Sequence, residues 1–140
     1  MDCKQHTVEI TEKLRENELK VTSSRLKLLD VFEHTKKPLS VKEIQKEVGK
    51  GTDKVTLYRN VESLVALGIL YKVRLHDRKF YYELASRGHH HHLVCKACKK
   101  IVDIELCSVT VPRNFLKSSG FSLVSEHSLE FFGICNSCVI

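Results

Sequence analysis

Two Cys-x-x-Cys pairs restrict this chain of 140 residues more than any other feature. They are Cys95-Lys96-Ala97-Cys98 and Cys135-Asn136-Ser137-Cys138. Two residues between sulfurs let a single turn wrap one face of a tetrahedral ion, and four thiolates close the shell of a zinc without an open position. Such a site is structural rather than catalytic. Thirty-six residues separate the pairs, more than a compact zinc ribbon holds, so the ion would staple two distant segments and pin the end of the chain to a sheet. A redox pair wants a helix N-terminus to depress its thiol pKa, and neither pair precedes a helical pattern. Cys3 and Cys107 are left over as a chain-end thiol and a core or surface residue, with a redox role for Cys107 open.

The compartment supports that reading. The start, Met1-Asp2-Cys3-Lys4, lacks the apolar core of a signal peptide, and no apolar run is long enough to span a membrane. A cytoplasmic protein without membrane contact is expected, and in a reducing cytosol cysteines serve as ligands more often than as disulfides. Charge is uneven along the chain. Residues 1–84 carry 17 Lys/Arg, 13 Asp/Glu and one Cys, whereas 85–140 hold five of the six Cys and five of the eight His. The net charge of +6 suits a polyanionic partner. Basic helical material comes first and metal-type ligands second.

Periodicity gives an α+β chain. A weak amphipathic helix is expected over 6–18 and a stronger one over Thr22–His34, with Leu26, Leu28, Leu29, Val31 and Phe32 on its apolar face. Pro38 ends that element. Ser40-Val41-Lys42-Glu43 reads as a capping box opening a short helix, and a longer helix runs from Asp53 to Ala66, with Val55, Leu57, Val61, Leu64 and Val65 inward. Runs at Ile69–Leu75 and Lys79–Leu84 form a hairpin across His76-Asp77-Arg78. Helices followed by a hairpin give a winged helix-turn-helix over 1–84. Residues 85–88 make a hinge. A small α/β domain follows over 89–140, with a three-stranded antiparallel sheet from His91–Cys95, Ile101–Leu106 and Ser122–Phe132, and one helix near Val111–Ser118.

In a helix-turn-helix the later helix enters the major groove N-terminus first. With Val55, Leu57 and Val61 inward, Lys54, Thr56, Tyr58, Arg59 and Asn60 are left for the groove. Arg can donate twice to guanine, and a Tyr ring can pack on thymine methyls. Lys20 and Arg25 suit phosphate or minor-groove contact. A solvated helix face would carry similar residues, so this segment alone leaves DNA binding open.

Gly88-His89-His90-His91-His92-Leu93-Val94-Cys95 is the second informative run. On a strand, His90 and His92 share one face while His89 and His91 share the other, so one run can feed two metal sites. A purification tag or a flexible chelating loop is the plainer reading, but tags sit at termini and the flanking residues follow a strand pattern. Glu83, Asp103 and Glu105 are the nearby carboxylates, and His127 lies on the segment leading to the second cysteine pair. Glu83 with His90 and His92 would join the wing to the second domain, so that metal binding fixes the angle between the halves.

Taken together, Lys20–Arg25, Val55–Arg59, Tyr82-Glu83-Leu84, HHHHLVC at 89–95, CKACKKIVDIE at 95–105, His127–Glu130 and GICNSC at 133–138 resemble the ferric uptake regulator (Fur) superfamily along nearly the whole chain. The resemblance implies a homodimer on palindromic double-stranded DNA, repressing metal-homeostasis or oxidative-stress genes when Fe(II), Zn(II) or Mn(II) is bound. It implies DNA contacts at Lys20, Tyr58 and Arg59 and structural zinc at Cys95, Cys98, Cys135 and Cys138. Glu83, His90 and His92 match the hinge regulatory site, with Asp103 added as in peroxide-sensing relatives. His89, His91 and His127 match an additional site.

Several positions depart from the pattern. Pro38 stands where iron and peroxide regulators usually carry a histidine, with His34 and His76 as candidate substitutes. Thr110 stands at the usual glutamate of the additional site, and His91 where iron-type members often have Asp. The cysteine that zinc sensors place shortly before the histidines is absent. Two alternatives follow: a peroxide sensor acting through iron-catalysed histidine oxidation, and a metal-independent regulator whose zinc is purely structural. An enzyme is not expected, because no HExxH or comparable base motif accompanies the histidines.

Overall fold

A computed structural model describes residues 3–75 and 78–140, with side chains from Val8 onward. The expectations for His76, for the tip of the hairpin and for the Cys3 thiol therefore lie outside what is described. The chain forms two compact units, Met1–Arg87 and Gly88–Ile140.

The first unit is built from four helices and a small sheet: α1 (Cys3–Glu16), α2 (Ser23–Glu33), β1 (Leu39–Ser40), α3 (Val41–Val48), α4 (Lys54–Ala66), β2 (Leu70–Arg74) and β3 (Phe80–Leu84). Helices α2, α3 and α4 each start where local chemistry provides a cap. The Thr22 hydroxyl accepts from the Arg25 N–H at 3.3 Å. Ser40 and Glu43 form the expected capping box, in which the Ser40 N–H donates to the Glu43 carboxylate at 2.8 Å and the Glu43 N–H to the Ser40 hydroxyl at 3.3 Å. The Asp53 carboxylate accepts from both the N–H and the hydroxyl of Thr56, at 2.9 and 2.6 Å. Helix α4 stops at Gly68, whose φ of 69° is costly for any side chain with a Cβ.

The helices bury one continuous core. Ile10, Leu14, Leu28, Leu29, Phe32, Leu39, Ile44, Leu57, Val61, Leu64, Leu70 and Tyr82 all belong to it. Each aliphatic side chain hidden in this way is worth about 1.5–3 kcal/mol. One expectation needs correction: Val55 is not inward but 61% exposed. The buried stripe of α4 is Leu57, Val61 and Leu64, at i, i+4 and i+7, and Val55 lies two residues before it, on the opposite side of the helix. β1 was not anticipated. It pairs Leu39 with Tyr82 and Ser40 with Tyr81, giving an antiparallel sheet of order β1-β3-β2. This is a winged helix, with β2 and β3 as the wing. A short 3-10 turn over Ala85–Arg87 closes the unit.

The second unit contains β4 (His91–Cys95), β5 (Ile101–Ile104), α5 (Arg113–Ser119) and β6 (Glu130–Gly133). The strand expected over Ser122–Phe132 is confined to its last part, and β5 stops two residues early. The sheet has order β5-β4-β6. β4 and β5 pair antiparallel, but β4 and β6 run parallel, His92 opposite Glu130 and Cys95 opposite Gly133. The expectation of an all-antiparallel sheet is corrected on that one pairing. The cause is local: β4 and β6 each end in a Cys-x-x-Cys turn, and the two turns meet only if the strands point the same way.

Candidate metal centres and nucleic-acid face

In the first unit, the exposed side of α4 carries Lys54, Val55, Thr56, Tyr58 and Arg59. Thr56 is engaged in the Asp53 cap, so its hydroxyl is already donating. Val55 adds an apolar group to this face, of the kind that packs on thymine methyls. The helix is tied to the wing by Glu62, which accepts from Lys72 of β2 at 2.9 Å and from the Tyr82 hydroxyl of β3 at 3.0 Å. The Lys72 hydrogen bond leads in holding the Glu62 carboxyl below its ordinary range, while burial, then Glu62 itself, pushes the Tyr82 hydroxyl upward. Lys20 is exposed, and Arg25 donates to its carbonyl at 2.9 Å. Arg25 thus holds the turn that presents Lys20, and its buried Nε has no hydrogen-bond partner among the described residues.

Glu83 lies on β3 with only 4% of its surface exposed, and Arg87 donates to its carboxylate at 3.0 Å. Pro38 is fully buried and carries no donor atom. His34 ends α2 beside Asp30 at 3.4 Å.

In the second unit the four sulfurs of Cys95, Cys98, Cys135 and Cys138 lie within 4.8 Å of one another. Cys98 and Cys135 are 3.7 Å apart, against about 3.8 Å for the edge of a tetrahedron with Zn–S bonds of about 2.3 Å. The first turn folds back through Lys99, at a φ of 66°, whose N–H reaches the Cys95 carbonyl at 3.0 Å. The Cys135 N–H points at the Cys95 sulfur at 3.4 Å. That donor, followed by the Cys98 N–H, lowers the Cys95 thiol to about 6. Hydrogen bonds to Cys135 and then Cys98 push the Cys138 thiol up to about 12. One thiolate forms readily and the last resists, because its S–H is held in hydrogen bonds to its neighbours and their charge adds to that. A dication removes that conflict, and the donor set and spacing fit zinc.

The four histidines divide as strand alternation requires. His90 and His92 stack edge-on with ring centroids 4.9 Å apart. The His90 Nδ1 donates to the Gly88 carbonyl at 2.9 Å, which places the lone pair of a neutral ring on Nε2. Asp103 faces His92 across the β4–β5 pair, 3.8 Å away. On the other face, His91 Nε2 lies 3.2 Å from both His89 Nε2 and His127 Nε2. Burial first, then the neighbouring His89 and His127, keeps the His91 pKa low and the ring neutral, the form that ligates metal.

The sequence reading missed the fourth member of this group. Cys107 Sγ is 3.1 Å from His127 Nε2, and the four donor atoms of His89, His91, Cys107 and His127 lie within 4.8 Å of one another. Thr110 is exposed.

A basic winged helix followed by cysteine and histidine clusters of this kind is matched by the model of the ferric uptake regulator family over residues 16–132. The chain belongs to that family. The ferric uptake regulation protein of Neisseria meningitidis is 30% identical over 129 residues, covering 89% of this chain and 90% of that protein. The Staphylococcus epidermidis protein of the same name is 31% identical with the same coverage. The crystal structure of the Vibrio cholerae ferric uptake regulator superposes with a TM-score of 0.69 at 26% identity, covering 89% of this chain and 98% of that one. The chain is therefore a metal-responsive, DNA-binding transcription regulator with the winged-helix fold of the family. Among the described residues, no helix is long and apolar enough to cross a membrane.

Proposed function

We propose that this regulator is a homodimeric repressor of palindromic promoters, switched by Fe(II), Zn(II) or Mn(II). The regulatory ion is held by His90 and His92 with Asp103, and by Glu83 from the wing. Cys95, Cys98, Cys135 and Cys138 hold a structural zinc. The observation that carries this reading is the division of the histidine run. His90 and His92 form a donor pair beside a carboxylate, separate from the four-sulfur cluster that would serve stability alone. Imidazole with carboxylate suits the borderline and harder divalent ions, whereas four thiolates suit zinc. When bound, the regulatory ion supplies a fixed point between donors from the wing and from β4, and so selects one arrangement of the DNA-binding helices. The residues named around α4 do the reading: Lys20 with the Arg25-braced turn on phosphate, Lys54, Tyr58 and Arg59 in the groove, and Thr56 at the cap.

Support for the dimer comes from the second unit's surface. Leu106, Phe115, Phe121, Leu123, Phe131 and Phe132 are all exposed there, apolar groups of the kind that an interface covers. A two-fold dimer presents two reading helices to half-sites about 34–36 Å apart, which is why its operators are palindromic.

The test is fluorescence anisotropy of the purified dimer on its own upstream DNA, with free Fe(II), Mn(II) and Zn(II) buffered separately. One metal should raise affinity by about tenfold or more, a coupling of about 1.4 kcal/mol, and the His90→Ala/His92→Ala protein should lose that response. Equal affinity with every metal, and with none beyond the structural zinc, would refute the switch.

A further inference from the structure

We propose that Cys107 completes a closed four-ligand site with His89, His91 and His127, which takes a borderline or soft divalent ion, Zn(II) or Co(II), in preference to Mn(II) or Fe(II). This rests on the reading that these histidines bind metal. It changes what they bind.

Hydrogen bonding alone does not account for the arrangement. The same nitrogen, Nε2, of His89 and of His127 approaches Nε2 of His91 at 3.2 Å. A ring nitrogen carries one proton or one lone pair, too little for a full hydrogen bond to each of two neighbours at once. Three ring nitrogens converging at this spacing suit a cation between them.

The dimensions agree with one. With Zn–N of about 2.0–2.1 Å and Zn–S of about 2.3 Å, tetrahedral edges are about 3.3 Å for N–N and about 3.5 Å for N–S. The N–N approaches of 3.2 Å are close to that edge, and the Cys107 Sγ–His127 Nε2 distance of 3.1 Å is about 0.4 Å inside the N–S edge. As ligands the set would bring one thiolate, three imidazoles and no carboxylate. A thiolate favours zinc and cobalt and is a poor partner for manganese, while four protein ligands leave no open position for substrate or water. The site is a sensor or a staple, not a reaction centre.

The experiment uses the full-length protein with one zinc per chain in the four-cysteine cluster, titrated with Co(II) under anaerobic conditions. A zinc indicator reports any displacement from that cluster. Its background is the His90→Ala/His92→Ala variant, so that the neighbouring pair takes no part. One equivalent of cobalt should bind without releasing zinc and produce a near-ultraviolet sulfur-to-cobalt charge-transfer band. Cys107→Ser should abolish the band and weaken cobalt binding by at least about tenfold, or about 1.4 kcal/mol. Cys107→Glu should lose the band and let Mn(II) compete where it does not in the parent. Cobalt bound with no sulfur band overturns the role of Cys107 while sparing the histidine site. No cobalt bound at all overturns both, and a band matched by zinc release assigns it to the four-cysteine cluster and overturns the proposal.

Discussion

The two units of this chain solve the problem of cohesion differently. In Met1–Arg87, Leu14, Leu28, Ile44, Val61 and Leu64 are completely buried, and four helices close over one apolar cluster. In Gly88–Ile140 the hydrophobic residues that are buried are Val94 and Cys95, while Leu106 is 89% and Phe121 65% exposed. What is buried there instead is polar: His91 and His92, each at 3%. A segment of this length has too little interior to hold itself by burial. The first unit is held by its core, whereas the proposed reading has the second held by metal at its ligand clusters and by the apolar surface that a second copy of the chain would cover. A regulator would gain from that division, because the half that depends on metal is the half that can report it.

The largest effect should come from removing the structural zinc. Extraction with a strong chelator, or Cys135→Ser, should unfold most of 88–140 and disperse the dimer. Structural zinc contributes on the order of 10 kcal/mol to folding in small metal-dependent domains. Hydrogen–deuterium exchange read peptide by peptide should show β4, β5 and β6 losing protection while α3 and α4 keep theirs. Loss of protection in α4 to the same extent would mean that the two units do not differ in what holds them.

The reciprocal change should act on the other half. Leu64 is fully buried in α4 between the helices and the wing, and Leu64→Ala should cost about 2–5 kcal/mol. Denaturant unfolding followed by exchange should show the loss in α2, α3 and α4. The zinc retained per chain, measured after dialysis, should not change. Zinc loss in step with the helical transition would show that the second unit leans on the first.

How much of this was legible in the sequence follows the same division. The first unit's elements could be read because local signals agree there: the Ser40–Glu43 box acts within four residues, and the apolar stripes of α2 and α4 keep a helical period. The error at Val55 came from treating an apolar residue as inward without placing it on the wheel defined by Leu57, Val61 and Leu64. In the second unit, the ligand types and strand alternation revealed the four-sulfur cluster and the split of His89–His92. Cys107 was not visible in that way. Continued alternation from Asp103, which faces His92, would carry Cys107 to the face of His92. β5 ends at Ile104, and the chain turns, bringing Cys107 to His127 instead. The parallel pairing of β6 was readable in principle, since two strands ending in cysteine turns must run together to share an ion. The short β1 had no signal beyond Leu39, because a two-residue strand has no period.

The smallest effect tests whether the first unit owes anything to charge. Glu43 sits at the third position of α3, where its carboxylate accepts from the Ser40 N–H and hydroxyl at 2.8 and 2.9 Å and faces Lys37 at 3.4 Å. Burial pushes its pKa up, but the Ser40 bonds and Lys37 together outweigh burial and leave it below the ordinary value of 4.5. A carboxyl whose folded pKa is depressed stabilises the fold above its unfolded pKa, and that contribution fades as pH falls through the folded value. Glu43→Gln keeps a side chain able to close the box and removes only the charge. At neutral pH it should cost roughly 0.5 kcal/mol, at the low end for caps because the carboxylate is partly exposed and its ion pair is screened. The gap between the two proteins, read from urea midpoints, should close as pH is lowered below about 4. A gap unchanged by acid would assign the contribution to hydrogen bonding alone, making the first unit, unlike the second, indifferent to the charge state of its ligating and capping groups.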